Sequence, residues 1–260
     1  MLEVRDLHFR HQHSGVDVLK DVTFKADLRE VTTILGPNGS GKTTILKCVA
    51  GIWKPQKGKV LFDGKDILSF PSNRRAKIMA IVPQDHEPPF PYTVLDVVLM
   101  GRVAHVGLFS SPSRQDYLKA EEVTEVVGIT HLRDKAYTNI SGGERQLVLV
   151  ARALAQEAPI LLLDEPTSHL DFRNQIIVLS RVREIARQKK ITVLMTLHDP
   201  NLAMSFSDKA ILTYEGSIVS NGLPERVITE ENLKRVYGID VAVINFNGTR
   251  IISPRINRDD

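Results

Sequence analysis

The sequence predicts an α/β protein built on a mostly parallel sheet, and three observations predict it. Val31–Leu35 reads as a buried strand, and Ile160–Leu163 is a short all-apolar run typical of a central parallel strand covered on both faces. Segments with helical spacing alternate with such runs: Thr44–Ala50, Tyr117–Val127 and Ile176–Gln188. Between the first strand and the first helix, Gly36-Pro37-Asn38-Gly39-Ser40-Gly41-Lys42-Thr43 meets every position of the pattern G-x-x-x-x-G-K-[ST].

Residues 1–35 read as short strands and turns, and alternation in Val18–Phe24 predicts an antiparallel layer flanking the core. The glycines of the 36–43 loop let successive backbone N–H groups turn inward on phosphate oxygens. Lys42 brings charge to the β- and γ-phosphates, and the Thr43 hydroxyl suits Mg²⁺. The helix that follows, stopped at Gly51, puts its N-terminus under the phosphate. The chain is therefore expected to bind a nucleotide. Lys77–Pro83 reads as a strand, after which Gln84 opens a loop stiffened by Pro88, Pro89 and Pro91. An amide there can meet Mg²⁺ or water and sense the γ-phosphate.

Residues 93–157 are rich in helical spacing. Within them Ser141 stands where an N-cap belongs, with Glu144 three residues on as in a capping box, and Leu147, Val150, Ala151 and Leu154 fall on one face. Asp164 and Glu165 end the Ile160–Leu163 strand, at the sheet edge where open α/β sheets bind ligands. Asp164 is placed for Mg²⁺, and Glu165 to polarise an attacking water. His198 ends the strand Ile191–Leu197 at the same edge. Residues 207–222 read as two strands around Tyr214–Ser217, and residues 242–252 as a hairpin turning at Asn247-Gly248.

Composition narrows the classes. A length of 260 residues with 42% hydrophobic and 25% charged residues fits one core with an appended subdomain, in two lobes. Net charge is +3 with signs mixed, which argues against a dedicated nucleic-acid surface. Cys48 is the single cysteine, so no intrachain disulfide forms and a reducing compartment is expected. The charged start Met1–Asp6 lacks a signal-peptide pattern. A bilayer span takes about 20 apolar residues, and the most apolar stretch, Tyr92–Met100, is short and broken by Asp96. His11-Gln12-His13 reads as loop, and the remaining histidines show no Cys/His metal spacing.

These motifs, in order from about Leu2 to about Asp240, resemble the ATPase subunits of ATP-binding cassette (ABC) transporters: the loop at 36–43, Gln84, the Ser141-Gly142-Gly143-Glu144-Arg145-Gln146 signature, the 160–164 strand with Glu165, Ser168-His169-Leu170-Asp171, and His198. The resemblance implies a P-loop NTPase core with a RecA-like parallel sheet, an antiparallel β subdomain and an α-helical subdomain bearing the signature. One cassette would span residues 1–260, with its core in 1–84 and 159–240, helical subdomain in 85–158 and tail in 241–260. ATP would lie on Gly36, Pro37, Asn38, Gly39, Ser40, Gly41, Lys42, Thr43 and Thr44 of one copy and on Ser141, Gly142, Gly143 and Glu144 of a second, paired head to tail. Thr43, Gln84 and Asp164 would hold Mg²⁺, and Glu165, His198 and Gln84 would serve catalysis. The family stacks adenine on an aromatic residue before Val18; His11 is the best-aligned position, with Phe9 and His13 as alternatives.

The signature wording and Pro166–Asp171 look most like importers of iron chelates, haem or cobalamin, as does Met100-Gly101-Arg102-Val103-Ala104-His105. Ala104 replaces a proline usual there, which keeps molybdate and tungstate importers open. The implied partners are two membrane permease subunits, docked around Gln84–Leu108 on the cytoplasmic face of the membrane, and through them a substrate-binding protein. An exporter ATPase would share every catalytic residue and is separated only by motif wording. A soluble ABC protein would need duplicated cassettes or coiled-coil arms, and a small-molecule kinase would lack residues 141–146.

Overall fold

Strands alternate their side chains between two faces, so a strand apolar at every position must be covered twice. That condition organises the computed structural model, which describes residues 1–11, 15–84, 90–107 and 110–255. Thirteen elements lead to the end of the first central βαβ stretch and its helical insert: β1 (Leu2–Arg10), β2 (Asp17–Ala26), β3 (Val31–Leu35), α1 (Lys42–Val49), β4 (Lys57–Phe62), β5 (Lys65–Asp66), α2 (Ser72–Ala76), β6 (Met79–Val82), α3 (Val94–Leu99), α4 (Arg114–Val127), α5 (Gly142–Ala155), β7 (Ile160–Leu163) and α6 (Phe172–Gln188). The chain continues through β8 (Thr192–Leu197), α7 (Pro200–Phe206), β9 (Lys209–Tyr214), β10 (Ser217–Gly222), α8 (Pro224–Val227), α9 (Glu230–Tyr237), β11 (Val241–Phe246) and β12 (Thr249–Pro254).

Six strands form the central sheet in the order β10-β9-β3-β8-β7-β6, with β9, β3, β8, β7 and β6 parallel and β10 an antiparallel edge. Ile160 and Leu162 of β7 face one apolar cluster with Ile45, Leu46 and the inner side of β1 and β2, while Leu161 and Leu163 face a second with Leu149, Leu179 and Val182. Each fully buried aliphatic side chain contributes roughly 1.5–3 kcal/mol relative to exposure, so both covers are needed. A four-stranded antiparallel layer, β2-β1-β4-β5, supplies one cover. Helices α5 and α6 supply the other, and α3 and α4 pack on α5. Cys48 lies fully buried in the first cluster, and burial pushes its thiol up to about 12, so it remains an unreactive apolar group. Among the described residues no helix is long and apolar enough to cross a membrane.

The expected elements are present with shifted ends. α1 begins at Lys42 rather than Thr44, and α6 begins at Phe172 rather than Ile176 because Asp171 caps it through the Asn174 amide at 2.8 Å. On α5 the buried face is wider than the expected one: Val148, Leu149 and Ala155 are buried, whereas Leu147 and Leu154 are only partly so. The tail forms the expected hairpin, with Asn247 and Gly248 both at positive φ (49° and 80°) as a tight two-residue turn requires. Strands β4 and β5 and helices α7, α8 and α9 were not expected.

Candidate active site

Parallel pairing aligns the carboxyl ends of four strands. Leu35 of β3 pairs with Leu197 of β8, Leu163 of β7 with Met195 of β8, and Val82 of β6 with Leu163. The residues that follow are Gly36, His198, Asp164 and, two past Val82, Gln84. Register alone therefore brings residues from four distant stretches to one edge.

The loop at 36–43 is built around a close approach: a Cβ on Gly36 would meet the Thr213 carbonyl oxygen at 2.4 Å. Gly41 caps α1 in the left-handed region (φ 99°) with no side-chain cap, leaving the first amides of the helix to a ligand. Ser40 is buried and its hydroxyl pairs with that of Thr213 at 3.0 Å. Lys42 is 5% exposed, and its ammonium donates to the carbonyls of Gly36 at 2.9 Å and Pro37 at 3.1 Å. Burial pulls this ammonium below its usual pKa, while Glu165 and Asp164 oppose the fall. Asn38 and Gly39 are exposed, Pro37 is half-buried, and Thr44 is buried.

Asp164 gathers the rest. Its Oδ1 accepts from the Thr43 hydroxyl at 2.9 Å and the Thr196 hydroxyl at 3.0 Å. Burial pushes its carboxyl above the usual carboxylate range, the charge of Glu165 adds to the rise, and the two hydroxyls oppose it. Glu165 takes a positive φ of 49° and donates its amide to the same Thr196 Oγ1 at 2.8 Å. The Glu165 carboxylate accepts from Ser168 Oγ at 3.1 Å and lies 2.5 Å from Nε2 of His198. Thr196 was missed by sequence reasoning: it is a fully buried hydroxyl two residues before His198, in a strand whose other members are apolar apart from Thr192, and a hydroxyl so close to the strand's carboxyl end was the available signal. Gln84 is exposed at the same edge and makes no hydrogen bond among the described residues.

An oxygen pair suited to Mg²⁺ is thus preformed where Thr43 meets Asp164. Among the described residues no group of three or more His, Cys, Asp or Glu is arranged to hold a metal. Mg²⁺ characteristically binds one or two protein ligands and completes its shell with phosphate and water, so the donor set fits.

The signature residues are elsewhere. Ser141 caps α5: its hydroxyl accepts from the Glu144 amide at 3.3 Å, and its own amide donates to the Glu144 carboxylate at 2.8 Å. Gly143 packs against Asn174 and Gly142 against Leu170. No hydrogen bond of Ser141–Glu144 reaches residues 36–44 among the described residues. His11 has its ring edge-on to Phe9 and to Trp53, both at 4.9 Å, and Phe9 is buried and stacked on Trp53. Phe9 is therefore occupied, and His13, with Gln12, lies outside the described residues.

A phosphate loop on a parallel sheet, with an acid for metal and an acid for water at the next strand ends, defines a P-loop nucleoside triphosphatase of the cassette type. The ABC transporter family profile matches residues 19–168. The chain is 35% identical over 239 residues to the ferric enterobactin transport ATP-binding protein FepC of Escherichia coli, covering 91% of this chain and 88% of that one. It is 36% identical over 236 residues to the molybdate import ATP-binding protein MolC of Haemophilus influenzae, covering 91% and 87%. A solved structure assigned to a metal-chelate type ABC transporter, in an inward-facing conformation, superposes with a TM-score of 0.85 at 33% identity over 98% of this chain and 97% of that chain. The chain belongs to the ABC transporter family and is an ATP hydrolase of that family.

Proposed function

We propose that this chain is the ATP-hydrolysing subunit of an importer for a metal chelate or related cargo: an iron siderophore, haem, cobalamin, molybdate or tungstate. It works as a head-to-tail pair of copies on the cytoplasmic face of the membrane, bound to two permease subunits that receive cargo from a binding protein. The observation that carries the enzymatic reading is the continuous chain of contacts Thr43–Asp164–Thr196–Glu165–His198. The cargo class rests on the FepC and MolC relatives and on the metal-chelate transporter.

In this reading the triphosphate lies in the 36–44 loop, and Lys42 exchanges the Gly36 and Pro37 carbonyls for β- and γ-phosphate oxygens. Thr43, Asp164 and Gln84 would hold Mg²⁺, which neutralises charge on the phosphates when bound. Glu165 accepts the proton of the attacking water, held in place by Ser168 and His198. Ser141, Gly142, Gly143 and Glu144 present the N-terminus of α5 to the γ-phosphate of the second copy, since they make no bond to the loop of their own chain. His11 stacks adenine after turning from Trp53. Phe90 (60% exposed) and Tyr92 (36%), with rings 5.9 Å apart, offer an apolar seat for a permease helix. Asp85–Pro89 and Leu108 of that expected docking stretch lie outside the described residues.

Copurifying the permease and reconstituting the complex in vesicles tests the reading. Mg-ATP on the side bearing this chain should drive a siderophore, haem, cobalamin or oxyanion away from the opposite face and toward it. Phe90→Ala with Tyr92→Ala should lose permease binding while keeping hydrolysis by the isolated chain. Transport only in the reverse direction would overturn the importer reading.

A further inference from the structure

The turn between β9 and β10 holds two other segments at once. Tyr214 pairs with Ser217 across it, and Glu215 and Gly216 both take positive φ (46° and 81°), as a tight two-residue hairpin turn requires. The Gly216 amide donates to the Ser40 carbonyl of the phosphate loop at 3.2 Å, and the Gly216 carbonyl accepts the Lys20 amide of β2 at 2.8 Å. Thr213 adds a second hold on the loop: its buried hydroxyl donates to the Leu35 carbonyl at 3.1 Å and meets Ser40 Oγ at 3.0 Å. One turn therefore ties β2 to the loop.

No side chain fits at this junction. A Cβ on Gly216 would collide with the Val18 carbonyl oxygen, and its three nearest atoms would all belong to Val18 and Leu19. A Cβ on Gly41 would meet Leu19 Cδ2 at 2.8 Å and stand 3.9 Å from Gly216 Cα. The start of β2 leads on to the other end of the nucleotide. Asp17, just before Val18, pairs with Arg10 in the β1–β2 register and accepts its Nε at 2.9 Å, and Arg10 adjoins His11. Base and phosphates would thus lie on segments that meet at Gly216.

A ligand held at both ends gains from the second contact only if the two subsites keep the spacing of the ligand; where they float, ordering them costs affinity. We propose that Gly216 is a positioning residue for ATP, which fixes the distance between the base and phosphate subsites and so sets how much the adenine adds to binding. The inference rests on the base subsite at His11 given above, and is independent of cargo and direction.

The test compares two ligands, Mg-ATP and Mg-tripolyphosphate, by equilibrium titration of the full chain at one ionic strength. Tripolyphosphate reads the loop alone. Wild type should bind ATP at least tenfold more tightly than tripolyphosphate. Gly216→Ala, which pushes on Val18, should cut that preference at least fivefold while tripolyphosphate affinity stays within twofold. Lys20→Pro, which leaves the turn intact and removes only the amide it accepts, should do the same and serves where the alanine variant does not fold, with thermal melting recorded for both. His11→Ala should lose the same preference, and adding Gly216→Ala or Lys20→Pro to it should cost little more. A folded variant that keeps the wild-type preference, even with a lower melting temperature, marks the turn as merely structural and overturns the inference. So does an equal loss for the two ligands, or losses that multiply in the double variant. A wild-type chain with no preference for ATP overturns the base subsite and this inference together, whereas a preference lost in His11→Ala and kept in both turn variants overturns this one alone.

Discussion

Glu165 and His198 meet at 2.5 Å, Oε1 to Nε2, across the ends of two neighbouring parallel strands. The pairing explains how a carboxylate on an uncommon positive-φ backbone keeps one orientation. The amide bond to Thr196 fixes the backbone, and Ser168 and His198 hold the two carboxylate oxygens.

Glu165→Gln keeps the shape and loses the proton acceptor. Turnover should fall by about a hundredfold or more, the usual worth of a general base, while ATP affinity stays within about twofold of wild type on the same reasoning. Phosphate release and nucleotide titration check it, and sizing should show ATP-dependent pairs accumulating. Hydrolysis at the wild-type rate would remove Glu165 from the mechanism.

Asp164 carries a cost of burial that its function requires. Its pKa is raised in the folded chain, so the folded state binds a proton more readily than the unfolded one, and stability declines as pH rises through the raised value. Asp164→Asn should therefore stabilise the nucleotide-free chain at pH 7 to 8 by about 0.5–2 kcal/mol. The gain should vanish below the ordinary carboxylate range, and hydrolysis should be lost. Urea melts in chelator across pH decide it; a variant less stable than wild type at neutral pH contradicts the argument.

How far the sequence reaches is visible in single residues. Gly36, Asp164 and His198 were legible because a loop pattern and apolar runs fix where strands end, and parallel register does the rest. Thr196 was not, because a hydroxyl in a largely apolar strand does not say which distant group it faces. Helix α7 was marked by Asp199-Pro200, a cap followed by a residue suited to the first turn, but the stretch is too short for periodicity to register. The face of α5 was drawn too narrow because α3, α4 and α6 all pack on it, and contact from several sides erases a single stripe.

The Gly101–His105 segment reads as a cargo marker in the sequence, yet in the fold it clamps the helical lobe. Arg102 is 7% exposed and bonds Asp116 at 3.0 Å, Glu157 at 2.7 Å and the Ala155 carbonyl at 2.7 Å, while His105 bonds the Gln156 carbonyl at 2.9 Å. Arg102→Met should destabilise the chain by about 3 kcal/mol, since carboxylates lose a buried partner. Ser113 first, then Arg102, lowers the Asp116 carboxyl to about 2. Its contribution to stability is therefore present above the ordinary carboxylate value and lost as pH falls toward 2. Acid titration of stability should lose that component in Asp116→Asn, and an unchanged acid limb would refute the assignment.

The signature residues decide whether each ATP site is shared. Ser141 and Gly142–Gly143 sit on α5 against Leu170 and Asn174, with no bond to the phosphate loop of their own chain, although the amides at this helix start are suited to a γ-phosphate. Ser141→Arg should abolish hydrolysis while leaving the loop untouched. It also removes an N-cap, which costs about 1 kcal/mol of stability, so thermal melting must accompany the assay and Ser141→Asn, which retains a cap, serves as the folded comparison. Mixed pairs then separate the cases. A Lys42→Ala chain combined with a Ser141→Arg chain has, if sites are shared, one ATP site carrying both lesions and one carrying neither. If each chain uses its own signature, both sites are damaged. Recovery of hydrolysis in the mixture above that of either variant alone, rising with the fraction of mixed pairs, assigns Ser141 of one copy to the triphosphate of the other. A mixture as inactive as its parents returns the signature to its own chain and leaves the unbonded α5 terminus without a ligand.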